Sequence, residues 1–97
     1  MKIIAIEREC REPRNKDYQT IARQEASRLY ELYQQGVVRE FYFRQDCNEA
    51  VLILECENIS QAADFLATLP IVKTGYSVFD LVPLKAYPGF SRLFAQE

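Results

Sequence analysis

The chain has 97 residues, of which 48% are hydrophobic and 27% charged, and its formal net charge is −2. This length predicts a single domain over residues 1–97 with a core small enough to gain from association, and the composition excludes a disordered or membrane-embedded chain. The slightly acidic balance argues against a nucleic-acid partner, which needs lysine and arginine gathered on one face.

Lys2 to Arg8 is an isoleucine-rich run that predicts a first strand, followed by a charged loop containing Pro13. Between Glu7 and Asp17, the cations Arg8, Arg11, Arg14 and Lys16 are matched by Glu7, Glu9, Glu12 and Asp17, the pattern of a solvated segment rather than an anion site. The short apolar start carries no cleavage pattern, so a cytoplasmic location is expected. Asp17 or Asn15 is placed to cap a helix over Tyr18 to Gln35. In it Tyr18, Ile21, Ala22, Leu29, Leu32 and Tyr33 recur at helical spacing, and Gly36 ends it.

Val37 to Arg44 is rich in β-branched and aromatic residues, Asp46 to Glu49 reads as a turn, and Ala50 to Cys56 is a nearly continuous apolar run. The two runs predict a hairpin. Ser60 is placed to cap a second helix carrying Ala62, Phe65, Leu66 and Leu69 on one face and stopping at Pro70. Tyr76 to Val82 supplies a last strand. A tail over residues 88–97, with Phe90, Leu93 and Phe94, is expected to dock, a neighbouring subunit being one candidate surface.

The strand-helix-strand-strand-helix-strand order predicts a ferredoxin-like α+β fold, with a four-stranded antiparallel sheet and two helices on one face. Such a sheet should turn polar residues to water on its other face, yet Ile4, Ile6, Leu52 and Leu54 oppose Ile3, Ala5, Val51 and Ile53 in parity. Both faces are apolar, which predicts that two copies pack sheet against sheet as a homodimer or a higher homo-oligomer.

Three charged residues break these patterns. At 100° per residue Glu25 falls about 20° from Tyr18, in the middle of the first helix's apolar stripe. A carboxylate there must be paired, or its proton affinity must rise. Asp80 shares strand parity with Tyr76, Val78 and Val82, and Arg39 shares it with Val37, Phe41 and Phe43. For each carboxylate a satisfied structural acid and a functional group both remain open readings. The sequence has no histidine, and Cys10, Cys47 and Cys56 are odd in number and widely spaced, so they predict neither a metal site nor a disulfide framework.

From Glu25 to Pro88 the chain resembles the muconolactone isomerase-like family of dimeric α+β barrels. The resemblance is carried by Glu25-x10-Gly36, Val38-Arg39-x-Phe41-Tyr42-Phe43-Arg44, Ile59-Ser60-x2-Ala63 and Leu69-Pro70-Ile71, followed by Tyr76, Leu84 and Pro88. It implies cofactor-free proton transfer, an isomerisation, on a small lactone or carboxylate-bearing molecule. Glu25 matches the family's helix glutamate, Asp80 the acidic residue of its last strand, and Arg39, or Arg44 with a one-residue slip, an arginine of its second strand. The chain departs from the family in its Cys- and Arg-bearing first loop and its lack of histidine.

Two classes of function follow. As an isomerase, the protein would shuttle a proton through Glu25 and hold a carboxylate with Arg39 or Arg44. As a non-catalytic module, it would bind a small ligand or mediate assembly, with Glu25 a satisfied buried acid. A pocket in which Glu25 and an arginine converge favours the first, and a filled core the second.

Overall fold

The computed structural model describes residues 1–11 and 16–95. The first strand, β1 (Lys2–Glu9), leads to helix α1 (Lys16–Gln34), then to the hairpin of β2 (Val38–Phe43) and β3 (Ala50–Glu55). Helices α2 (Ile59–Leu66) and α3 (Pro70–Lys73) precede β4 (Ser77–Pro83), and a 3₁₀ segment, Gly89–Leu93, follows in the tail. The strands form one sheet in the order β2-β3-β1-β4, and every pairing is antiparallel. The predicted ferredoxin-like α+β architecture is therefore the one observed.

The local chemistry explains several differences from the expected boundaries. Helix α1 begins at Lys16, so Asp17 lies inside it rather than capping it, and the alternative cap at Asn15 falls outside the described residues. The cap of α2 is Asn58, whose Oδ1 accepts the Gln61 N–H at 2.8 Å, while Ser60 lies within the helix. Asparagine and serine both suit this position, and it is Asn58 whose backbone is extended there. The helix expected to run to Pro70 ends at Leu66, and Leu69 instead caps the next helix, which Pro70 begins. Its fixed φ and missing N–H suit the first position of a helix, and it opens α3.

The core lies between the sheet and the helices. Ile3 and Ala5 of β1, Leu52 and Leu54 of β3, and Val38 of β2 face Leu32 of α1, Ala62 and Leu66 of α2, and Leu69 and Ile71 around the start of α3. Ala22 and Tyr33, expected in the α1 stripe, are exposed. A bulge between Val38 and Glu40 breaks the strand's alternation, so Val38 shares a face with Phe41 and Phe43 instead of opposing them. Parity counting without the bulge put Val38 on the wrong side.

The other face of the sheet carries Ile4 and Ile6, paired with Ile53 and Val51, and Val82 opposite Ile4. None of these five is fully buried, and Val78 and Val82 are exposed. Within the protomer no described helix covers this face, as the doubly apolar strands predicted. In the tail Tyr87 and Phe90 pack edge to face, while Phe90, Leu93 and Phe94 stay exposed.

Candidate active site

The polar centre of the helix-side layer is built from two glutamates. Continuing the parity of Ile3 and Ala5 by two residues places Glu7 on the core side of β1, where it is 5% exposed. Its Oε1 accepts the Ala50 N–H at 2.7 Å, and its Oε2 accepts the Ser77 hydroxyl at 2.5 Å. One carboxylate thus ties the start of β3 and the start of β4 to the central strand. The expectation that Glu7, at the end of the first strand, is a counter-ion of a solvated segment is corrected: its side chain is buried on the core side of β1.

Glu25 projects from the middle of the buried face of α1 and is 9% exposed. Among the described residues its hydrogen bond is to Ile71, whose N–H reaches Oε1 at 3.1 Å. No fully buried polar side-chain atom among those residues lacks a partner, so Oε2 keeps an opening to solvent. Burial raises the Glu25 carboxyl from its ordinary value of 4.5 to about 7; the Ile71 N–H opposes the rise and the charge of Glu7 adds to it. At neutral pH this group is divided between its acid and its base.

Two tyrosines close the cluster. Tyr18, two turns before Glu25 on the same helix face, packs edge to face on Tyr76 with ring centroids 5.3 Å apart. Burial raises the Tyr18 phenol, and the charges of Glu7, Glu9 and Glu25 raise it further, so it stays a neutral hydrogen-bonding group. The Arg11 guanidinium lies 4.2 Å from the Tyr76 ring centroid and donates to the Thr74 carbonyl at 2.7 Å. It brings a cation to the edge of the cluster.

An apolar groove of about 250 Å³ is lined by Leu29, Phe41, Tyr42, Phe43, Ala50 and Leu52, with neither Glu25 nor Glu7 among its walls. Leu29 stands one helical turn beyond Glu25, and Ala50 is the residue whose N–H Glu7 holds. A second hollow of about 420 Å³ shares Leu29 and Phe41 and extends along α1 to Tyr30 and Tyr33.

The four residues singled out from sequence do not converge within one protomer. Arg39 sits at the bulge of β2, where its Nε donates to the Gly36 carbonyl at 2.6 Å. Arg44 pairs with Asp46 at 2.6 Å and lies 3.6 Å from Glu49. Asp80 is opposite Ile6 on the helix-free face of the sheet, and its cation is Arg8, at 2.7 Å, rather than Arg39. Glu25 alone lies in the helix-side layer, and its neighbours there, Glu7, Tyr18 and Tyr76, were missed as site residues. Strand parity offered a signal for Glu7, and the seven-residue spacing of Tyr18 and Glu25 offered one for the tyrosine.

Other chemistries find less support in the described residues. No three His, Cys, Asp or Glu side chains gather around a space that could hold a metal ion. The Cys47 thiol is raised by its hydrogen bond to Glu49, and burial raises that of Cys56, so both favour the unreactive form. No described helix is long and apolar enough to cross a membrane.

No protein-family model matches the sequence, and neither does any curated protein. The fold does match solved structures. Muconolactone isomerase superposes with a TM-score of 0.78 at 13% identity, covering 91% of this chain and 92% of that one. A 5-chloro-2-hydroxyhydroquinone dehydrochlorinase from Burkholderia phenoliruptrix, in complex with 2,5-dihydroxybenzoquinone, superposes with a TM-score of 0.59 at 17% identity, covering 90% and 97%. Likeness at this level of identity is a statement about backbone, and by that measure the chain has the fold of muconolactone isomerase.

Proposed function

We propose that this protein catalyses a cofactor-free proton transfer, an isomerisation, on a small lactone or carboxylate-bearing molecule, with Glu25 as the proton carrier. The observation that carries this reading is the setting of Glu25. It is a buried carboxyl held by one N–H, open to solvent at its second oxygen, and it stands one helical turn before Leu29, a wall of an apolar groove. Its ionised form takes a proton from a carbon next to a conjugated carbonyl, and the C–H electron pair moves into the carbonyl system. The carboxylic acid so formed returns the proton at a different carbon. A proton affinity near neutrality suits both halves of that cycle.

The two structural neighbours, an isomerase of a lactone and a dehydrochlorinase of a small hydroxylated ring, support a small cyclic substrate. A substrate carboxylate has candidate cations in Arg44, which follows Phe43 of the groove wall, in Arg39 of the same strand, and in Arg11 beside Tyr76. Assigning Asp80 a substrate contact requires a second subunit to bring its face of the sheet to a groove.

The alternative is a non-catalytic ligand-binding or assembly module. It is favoured by the own-chain partners that already hold Arg39 and Arg44. The two readings separate in heavy water with a panel of small unsaturated lactones bearing a carboxylate, followed by proton NMR. The isomerase reading expects carbon-bound deuterium with the wild-type chain, and a loss of about 10²-fold or more in folded Glu25→Gln. Equal rates in the two proteins, or no exchange on any member of the panel, would remove it.

A further inference from the structure

We propose that Cys10 and Cys47 form a redox-active dithiol, which a small organic disulfide converts into a reversible clamp between the end of β1 and the tip of the β2-β3 hairpin. The two stand 37 residues apart in sequence, and the fold brings them to one corner of the sheet. Strands β1 and β3 pair from Lys2 with Glu55 to Ile6 with Val51, and the same register continued four places puts Cys10 opposite Cys47. Contacts beyond the ladder keep the two segments neighbours there. Glu49 reaches across with both oxygens: Oε2 accepts the Glu9 N–H at 2.8 Å, and Oε1 accepts the Cys47 thiol at 3.2 Å. One carboxylate therefore separates the Cys47 sulfur from the backbone of the residue before Cys10.

Face and pair type agree with this placement. By strand parity Cys10 follows Ile4 and Ile6, and Cys47 follows Ile53 and Val51, so both fall on the helix-free side. Met1 and Cys56 exchange both main-chain bonds, which makes the even residues of β1, and Cys10 with them, the non-hydrogen-bonded positions. Across such a pair Cα atoms stand about 4.5 Å apart in a regular ladder, within the range a disulfide spans. Residues 45–48 are bends rather than strand, so the tip closes on β1 without breaking the ladder. The Cys10 Sγ rests 3.9 Å from the Arg8 carbonyl, a weak contact that one rotation about χ1 releases. Cys56, buried beside Met1 at the other end of β3, is out of reach of both.

The chemistry runs in two exchanges. Cys10, the exposed thiol, loses its proton to water, attacks one sulfur of the small disulfide, forms a mixed disulfide and releases one small thiolate. Cys47, which its bond to Glu49 keeps protonated until then, gives its proton to that carboxylate, attacks the Cys10 sulfur and expels the second small thiolate. Two protein thiols are oxidised and one disulfide is reduced to two thiols, which take up the two protons. The clamp closes beside the candidate site, since the Cys10 N–H bonds the Tyr76 carbonyl at 2.7 Å, but it does not rest on the proton-transfer reading.

The test treats the reduced full-length chain with oxidised glutathione and follows it by intact-protein and peptide mass spectrometry. The wild type is expected to lose two hydrogens, its titratable thiols in denaturant falling from three to one, with Cys10 and Cys47 in one cross-linked peptide and Cys56 free. Excess dithiothreitol should restore the starting mass. Cys47→Ser should stop at the mixed disulfide on Cys10, and Cys10→Ser should react about tenfold more slowly or less. A wild type that keeps glutathione on Cys10 without closing, that joins either thiol to Cys56, or that links two chains through Cys10 would overturn the proposal, as would the absence of any reaction.

Discussion

The Ile71 N–H and the Glu25 carboxylate are joined at 3.1 Å, so the first turn of α3 supplies the hydrogen bond that lets α1 carry an acid into the core. One donor does not offset the loss of water. Burial therefore dominates, and the carboxyl holds its proton up to about pH 7, against 4.5 for an ordinary glutamate.

Stability must then depend on pH with a defined sign. Between these two values the folded chain binds a proton that the unfolded chain releases, so folding is favoured on the acid side. The contribution is fully present below about 4.5 and is lost as pH rises through about 7. The shift corresponds to on the order of 3 kcal/mol. Urea unfolding of the wild type should weaken from pH 5 to pH 8, and Glu25→Gln, which still accepts from Ile71, should lose that slope. Exposed Asp46 is held below its ordinary value by its hydrogen bond to Arg44, and half-buried Glu49 by the Glu9 N–H, so their contributions fade at more acid pH and leave this window clear.

The uncovered sheet face makes a second prediction, that the chain forms a homodimer or a higher homo-oligomer. Ile4, Ile6, Val51 and Ile53 form a continuous apolar centre, with Val78 and Val82 beside it on β4. Burying several hundred Å² of such surface is worth about 25 cal/mol per Å², enough to hold two copies together against the entropy of association. Ile53→Lys places a charge in that centre without touching the helix-side core. Sedimentation is expected to show an associated wild type and a dissociated variant that keeps its far-ultraviolet dichroism; a monomeric wild type at micromolar concentration would reject the association.

How much of this was legible in the sequence depended on whether periodicity or hydrogen bonding decided the outcome. The doubly apolar sheet followed from the lack of alternation in Lys2–Arg8 and Ala50–Cys56, because a β-strand's side-chain period is fixed and both parities there are apolar. Glu25 stood out because a carboxylate interrupted a helical stripe. Glu7 did not, since its neighbours Arg8, Glu9 and Arg11 gave it the look of a solvated loop; its burial depends on donors at Ala50 and Ser77, 43 and 70 residues away. The surroundings of Arg39 were hidden for a related reason, since the bulge beside its hydrogen bond to Gly36 leaves no composition signature in Val38-Arg39-Glu40.

Gly36 supports a third prediction. It ends α1 at φ +78°, where a Cβ is disfavoured, and the Val37 N–H bonds the Leu32 carbonyl across the turn. A Cβ there would meet the Arg39 guanidinium at 3.6 Å, an ordinary contact, so backbone strain is the main cost. Gly36→Ala should destabilise by about 1–2 kcal/mol in urea unfolding. Gly75, at φ +79° with nothing within 4 Å of its Cβ position, should respond to the same substitution by a similar amount, whereas Gly75→Asn should cost less. An asparagine no better than alanine at that position would show that contacts rather than φ govern it.

The tail supplies the last prediction. The Leu84 N–H still bonds the Lys2 carbonyl at 2.9 Å, so the sheet's hold on the chain extends that far. Beyond it Tyr87, Phe90, Leu93 and Phe94 are 68–81% exposed and add nothing to the hydrophobic core of the protomer. Four large apolar side chains on a short segment are costly to leave in water, and a neighbouring subunit is the cover expected for them. Ending the chain after Ala86 should therefore leave the unfolding midpoint of a dissociated protomer, such as the Ile53→Lys background, within about 0.5 kcal/mol of its full-length counterpart. In the otherwise wild-type chain the same truncation should weaken association in sedimentation equilibrium. An unchanged association constant would mean that the tail covers nothing on its partner.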